Sequence, residues 1–94
     1  MTTFIILGRN SAEAFKDADE LKQAADTTCK MIGEVPGVVC KEAYFTLGRF
    51  DSIIIVDTDD PHKINKVNMI MRTSGRGITE TLVATPFREY LEHV

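Results

Sequence analysis

Two short runs constrain this chain more than anything else in it. Phe4-Ile5-Ile6-Leu7 and Ile53-Ile54-Ile55-Val56 are apolar at every position, where a strand with one wet face would alternate. Both read as central strands of a sheet that is covered on its two faces. Two further runs, Val38 to Leu47 and Ile78 to Thr85, alternate instead, as half-covered edge strands do. In the first of these Ala43, Phe45 and Leu47 share one face, and Glu42, Tyr44 and Thr46 the other.

The segments between the strands read as helices and turns. Gly8-Arg9-Asn10 breaks the first strand, and Asn10 with Glu13 three residues later resembles a capping box. Phe15, Ala18, Leu21, Ala25, Cys29 and Ile32 then recur at three- and four-residue steps. This spacing predicts an amphipathic helix of about twenty residues, closed by Gly33 and Pro36-Gly37. Gly48-Arg49 separates two strands as a type II′ hairpin turn would, with glycine supplying the positive φ. Asp60 as N-cap and Pro61 at the first helical position open a second helix, whose buried stripe is Ile64, Val67, Ile70 and Met71. Gly75-Arg76-Gly77 ends that helix, and Pro86 to Glu92 reads as a short helical tail.

The resulting order, β-α-β-β-α-β, is that of a ferredoxin-like α+β fold in a single domain, residues 1–94. The expected sheet is antiparallel, of order 4-1-3-2, with both helices on one face. Two helices cannot cover two faces. A second copy of the chain is the economical cover for the other one, giving a dimeric α+β barrel.

Composition narrows the function classes. The 94 residues are 44% hydrophobic and 27% charged, ordinary values for a folded chain. Eleven basic against fourteen acidic residues give a net charge of −3, a poor footprint for nucleic acid or an anionic membrane, so neither partner is expected. No apolar run approaches the ~18 residues of a membrane span, and the start lacks the features of a signal peptide, which points to the cytoplasm. Cys29 and Cys40 match no metal motif and read as two small buried hydrophobes in a reducing compartment. His62 and His93 lie in different segments with no other ligand type clustered beside them, so neither metal nor cofactor is expected.

Tyr44-Phe45-Thr46-Leu47-Gly48-Arg49-Phe50-Asp51, a β-branched run and Asp59-Asp60-Pro61 together resemble the bacterial and archaeal GYD-domain family. The later Gly75-Arg76-Gly77-Ile78-Thr79-Glu80-Thr81-Leu82-Val83-Ala84-Thr85 is similar to that family's last strand. Phe50 stands where the family usually has tyrosine, so any role of that hydroxyl is absent here. Val35-Pro36-Gly37-Val38, the Gly48–Asp51 hairpin and the following βαβ also resemble the effector-binding domain of leucine-responsive and asparagine-type transcriptional regulators. Those domains dimerise sheet to sheet and bind amino acids between subunits. No helix-turn-helix precedes these segments, so direct DNA binding is not expected. Both resemblances imply a dimeric α+β barrel.

Gly48-Arg49-Phe50-Asp51 is the leading candidate site, and it reads in two ways. Locally, Gly48 makes the turn, Phe50 packs and Asp51 hydrogen-bonds neighbouring backbone. Functionally, the hairpin puts Tyr44 opposite Ile53 and Thr46 opposite Asp51, so a phenol, a hydroxyl and a carboxylate converge on one face. Such a mixture in an apolar cavity suits one small polar molecule, bound by Tyr44 and Asp51 with Arg49 or Glu80 at the mouth. Glu80 shares a side with Ile78 and Leu82 and is either exposed or functional, since a buried unpaired carboxylate is costly. Arg49, Arg72 and Arg76 beside Gly75 and Gly77 form a weaker anion-site candidate, better read as a solvated loop. Met69 and Met71 read as core or interface filler. A binding or regulatory module fits these features better than an enzyme, with a cofactor-independent oxygenase or isomerase and a structural oligomerisation domain as the alternatives. The absence of tryptophan, and of histidine on a predicted inner strand, weighs against haem chemistry.

Overall fold

The computed structural model describes residues 1–11, 15–73 and 77–94. Four antiparallel strands, β1 (Thr2–Asn10), β2 (Val38–Phe45), β3 (Ser52–Thr58) and β4 (Gly77–Ala84), form one sheet ordered β2-β3-β1-β4. The apolar runs at Phe4–Leu7 and Ile53–Val56 lie in the two central strands, paired Phe4 to Val56 through Leu7 to Ile53. The helices are α1 (Ala18–Gly33), α2 (Ile64–Thr73) and α3 (Phe87–Glu92), with a 3₁₀ turn at Pro61–Lys63 leading into α2. This is the ferredoxin-like α+β arrangement expected from the pattern, with the sheet order as expected.

Strand alternation decides which face the helices take. Phe4 and Ile6 of β1, Ile54 and Val56 of β3 and Val38 of β2 are buried with Ile32 of α1 and Val67 of α2. Val35, Cys40, Ile64, Ile70 and Met71 pack around them. On the opposite face Ile5, Leu7, Ile53 and Ile55 are only half-buried. The molecule measures 47 × 30 × 17 Å, a slab one sheet and one helical layer thick. The C-terminal helix does not cover the bare face: Phe87, Tyr90 and Leu91 are all exposed.

Three local expectations are corrected. Gly8-Arg9-Asn10 does not end β1, because β4 continues to pair alongside it, Gly8 with Thr79, Arg9 with Ile78 and Asn10 with Gly77. Helix α1 starts at Ala18 rather than after Asn10, where the Asp17 carboxylate accepts the Glu20 amide at 2.9 Å as N-cap. Asn10 is part of a strand, and Glu13 of the supposed capping box lies outside the described residues, as do Gly75 and Arg76. The hairpin is also wider than two residues. Its ladder ends at Phe45–Ser52, and Thr46 closes a longer loop by donating its amide to the Asp51 carbonyl and its hydroxyl to the Phe50 carbonyl.

The start of the second helical segment is as expected. The Asp60 carboxylate accepts the His62 amide at 3.0 Å, and Pro61 occupies the first helical position. Lys63 reaches back to Asp59 at 2.8 Å, and this hydrogen bond holds the Asp59 carboxyl below its ordinary range.

One buried polar group stands out. Thr58 is fully enclosed on the helix face, and its hydroxyl finds no hydrogen-bond partner among the described residues. An unmet hydroxyl costs about 1–3 kcal/mol of desolvation, whereas a methyl of the same shape costs none. Thr58→Val is therefore expected to raise the unfolding free energy by roughly 1 kcal/mol in urea titrations. A loss of stability would mean that the hydroxyl is satisfied.

Candidate functional site

Sheet register fixes what the bare face presents. One row runs Tyr44–Ile53–Leu7–Glu80 across all four strands, and the next runs Glu42–Ile55–Ile5–Leu82. At the far end, Asp57 accepts the Thr3 hydroxyl at 2.6 Å and pairs with Lys41 at 3.5 Å. The centre of the face is thus aliphatic, and its ionisable groups stand at its edges and ends. Tyr44 and Glu80 are both well exposed, as the sheet edges dictate.

The four predicted site residues fall into separate places. Tyr44 and Asp51 are near one another, since Asp51 lies two residues before the Ile53 that pairs with Tyr44, about 7 Å along the strand. Glu80 sits on the opposite edge, three strand spacings or roughly 14 Å from Tyr44. A small molecule against Tyr44 does not reach it within the same chain. Arg49 is exposed in the hairpin loop, with its guanidinium 5.8 Å from the centre of the Phe50 ring, a cation–π arrangement.

Asp51 has a structural task as well. Its amide donates to the Gly8 carbonyl at 2.7 Å, and one carboxylate oxygen accepts the Asn10 amide at 2.7 Å. These bonds tie the hairpin to the end of β1, just past the last ladder pair, Gly8–Ser52. The link was not visible in the sequence, because 41 residues separate Asp51 from Asn10. Gly48 has φ of +119°, within the range that favours glycine, and a Cβ built there would touch nothing. The cost of a side chain is therefore purely conformational. Gly48→Val is expected to lower stability by about 1–2 kcal/mol in chemical denaturation, since β-branched residues fit positive φ poorly.

A cavity of about 290 Å³ lies on the other side of the sheet, beneath α1. Gly8, Ala43, Ser52 and Ile54 form its floor, with Leu21, Ala25 and Cys29 of α1 above. Cys29 and Cys40 are both free and half-buried, and they meet at the junction of α1 and β2. Burial, the neighbouring Cys29 and the Glu42 carboxylate push the Cys40 thiol up to about 11. Nothing in the sequence joins these two cysteines. Their meeting follows from the helix face of α1 packing on β2, which no spacing motif records. Among the described residues no three of His, Cys, Asp and Glu are grouped as metal ligands would be, and no helix is long and apolar enough to cross a membrane.

Residues 4–94 match the GYD domain, and the chain belongs to that family. Among solved structures it is similar to FFRP-DM1, at 25% identity and a TM-score of 0.61, over 90% of this chain and all of that one. It is similar in fold to TTHA0845 from Thermus thermophilus, at 24% identity and a TM-score of 0.60, over 92% of this chain and 95% of that one. MtbAldR shares the fold at 13% identity with a TM-score of 0.64, over 90% of this chain but 52% of that longer one. No curated protein matches the sequence.

Proposed function

We propose that this chain is a small-ligand-binding, regulatory module that works as a dimer, two copies packing their bare sheet faces together into an α+β barrel. The observation that carries this reading is the uncovered face itself, with Ile5, Leu7, Ile53, Ile55 and Leu82 at its centre. The isolated chain exposes 6882 Å², whereas a folded monomer of its mass typically exposes about 5,400 Å². That excess is larger than the ~800 Å² each partner buries in a standard stable interface. The exposed apolar side chains of α3, Phe87, Tyr90 and Leu91, add a further surface for the second copy. Resemblance to the effector-binding domains of leucine-responsive regulators supports a ligand held between subunits.

The ligand site we propose is the hairpin end of the bare face. Tyr44 offers a phenol and Asp51 its second carboxylate oxygen, with Arg49 at the mouth. Glu80 completes the site only from the partner, because within one chain it is too far away. Amino acids and small amino-bearing acids are the class that a phenol, a carboxylate and a guanidinium would select. The work of the site is binding and positioning. A cofactor-independent enzyme remains the second reading, favoured by the same carboxylate if binding excludes water around it.

Thermal-shift screening of amino acids, small carboxylates and aromatic metabolites is the first test. Asp51→Asn keeps an oxygen for the Asn10 amide while removing the charge. It is expected to leave the unfolding midpoint of the free protein nearly unchanged and to weaken binding of an amine-bearing hit at least tenfold. If the variant binds such a hit as tightly as the unmodified chain does, the ligand does not use Asp51. Filling the cavity beneath α1 with Ala25→Leu distinguishes the other face: loss of binding in that variant alone would move the site there.

A further inference from the structure

We infer that Cys29 and Cys40 form a redox-active dithiol, which hydrogen peroxide or a related peroxide converts to an intramolecular disulfide that ties α1 to the edge strand β2. The inference does not depend on the ligand site proposed above. It rests on the placement of the two cysteines, which come from different elements and line one groove between α1 and β2 rather than lying in separate parts of the core.

Three features make the pair a site rather than a packing coincidence. First, both thiols line an open groove between α1 and β2 with Lys30, Gly33, Lys41 and Glu42, so a molecule as small as a peroxide can reach them. Second, β2 carries its register irregularity between Cys40 and Glu42, immediately beside the thiol. A bulged edge strand adapts its backbone more readily than a central one, which helps two sulfurs close to bonding distance. Third, Cys40 lies on the helix-covered side of the sheet with Val38 and Val56, so a second copy on the bare face leaves the groove open.

The chemistry balances with the oxidant named. The Cys29 sulfur attacks the peroxide O–O bond, forming Cys29–SOH and releasing hydroxide, which becomes water on taking the Cys29 thiol proton. The Cys40 sulfur then attacks that sulfenic sulfur. The S–S bond forms, the S–O bond breaks, and the departing hydroxyl takes the Cys40 proton as a second water. Two thiols are oxidised by two electrons and one peroxide is reduced to two waters. A reducing dithiol reverses the change. Cys29 also lines the cavity beneath α1, so the disulfide would fix the wall of that cavity as well as the position of the helix.

The test uses the whole chain, purified under reduction and then exposed to a small excess of hydrogen peroxide. Both free thiols are expected to disappear together, with a mass loss of two hydrogens per chain and no covalent dimer on non-reducing electrophoresis. Peptide mapping is expected to link the Cys29 peptide to the Cys40 peptide, and dithiothreitol to restore both thiols. This mapping needs no variant, so it stands even where a substitution disturbs folding. Cys29→Ser is expected to abolish the linked peptide and leave the Cys40 thiol unoxidised under the same exposure. Covalent dimers, independent oxygen adducts on each cysteine, or two thiols that survive the peroxide would each overturn the inference.

Discussion

Truncating Ile32 to alanine is expected to lower the unfolding free energy by about 2–5 kcal/mol, the range for deleting a buried isoleucine. Ile32 is completely buried and is the one side chain of α1 that reaches the centre of the core. A chain of 94 residues has a total stability of roughly 5–14 kcal/mol, so this single change removes a large share of it. The core has only seven buried hydrophobic side chains among the described residues, and a slab this thin has little capacity to close the gap. Urea titration followed by circular dichroism measures the effect. A loss below about 1 kcal/mol would mean that α1 packs more loosely on the sheet than Ile32 indicates.

The second large effect concerns the bare face. Ile5→Glu places a carboxylate between Ile55 and Leu82, at the centre of the aliphatic field. On an isolated chain that position is half exposed, and the charge stays wet at modest cost. Between two packed sheets it would be desolvated with no partner, at a cost of several kcal/mol per chain. The variant is therefore expected to remain folded and to lose self-association. Lys66→Glu, on the exposed side of α2, is expected to change neither property.

Much of the fold was legible because two physical signals agreed. Unbroken apolarity marked Phe4–Leu7 and Ile53–Val56 as central, and alternation marked the edges, which together set the sheet order. The Asp60-Pro61 pair started its helix where local chemistry required. The misplacements arose where a distant partner overrode a local signal. Gly8, Arg9 and Asn10 look like a strand ending, yet β4 supplies the ladder partners that keep them extended. Asn10 is a fair N-cap by type, but its backbone is engaged by Asp51 from across the sheet. The hairpin glycine was placed correctly in its positive φ, while the loop around it widened because Thr46 and Asp51 make long-range and loop bonds of their own.

The candidate site was legible in part. Period-two alternation put Tyr44 opposite Ile53, and Glu80 on one side with Ile78 and Leu82; the register brings these onto one face by pairing Glu80 with Leu7 and Leu7 with Ile53. The distance between Tyr44 and Glu80 depends on the number of strands between them, and it separates two residues that a one-dimensional reading groups together. The same limit hid the Cys29–Cys40 pair, whose contact is made by helix packing and not by spacing. Side-chain type shows what a residue can do, and the sheet decides which residues do it together.

The dimer of bare faces is tested most directly by light scattering coupled to size exclusion on the unmodified chain at micromolar concentration. A mass of at least twice 10.5 kDa that falls to 10.5 kDa in Ile5→Glu is the expected result. A stable monomer of the unmodified chain, or an assembly that survives Ile5→Glu intact, would contradict it.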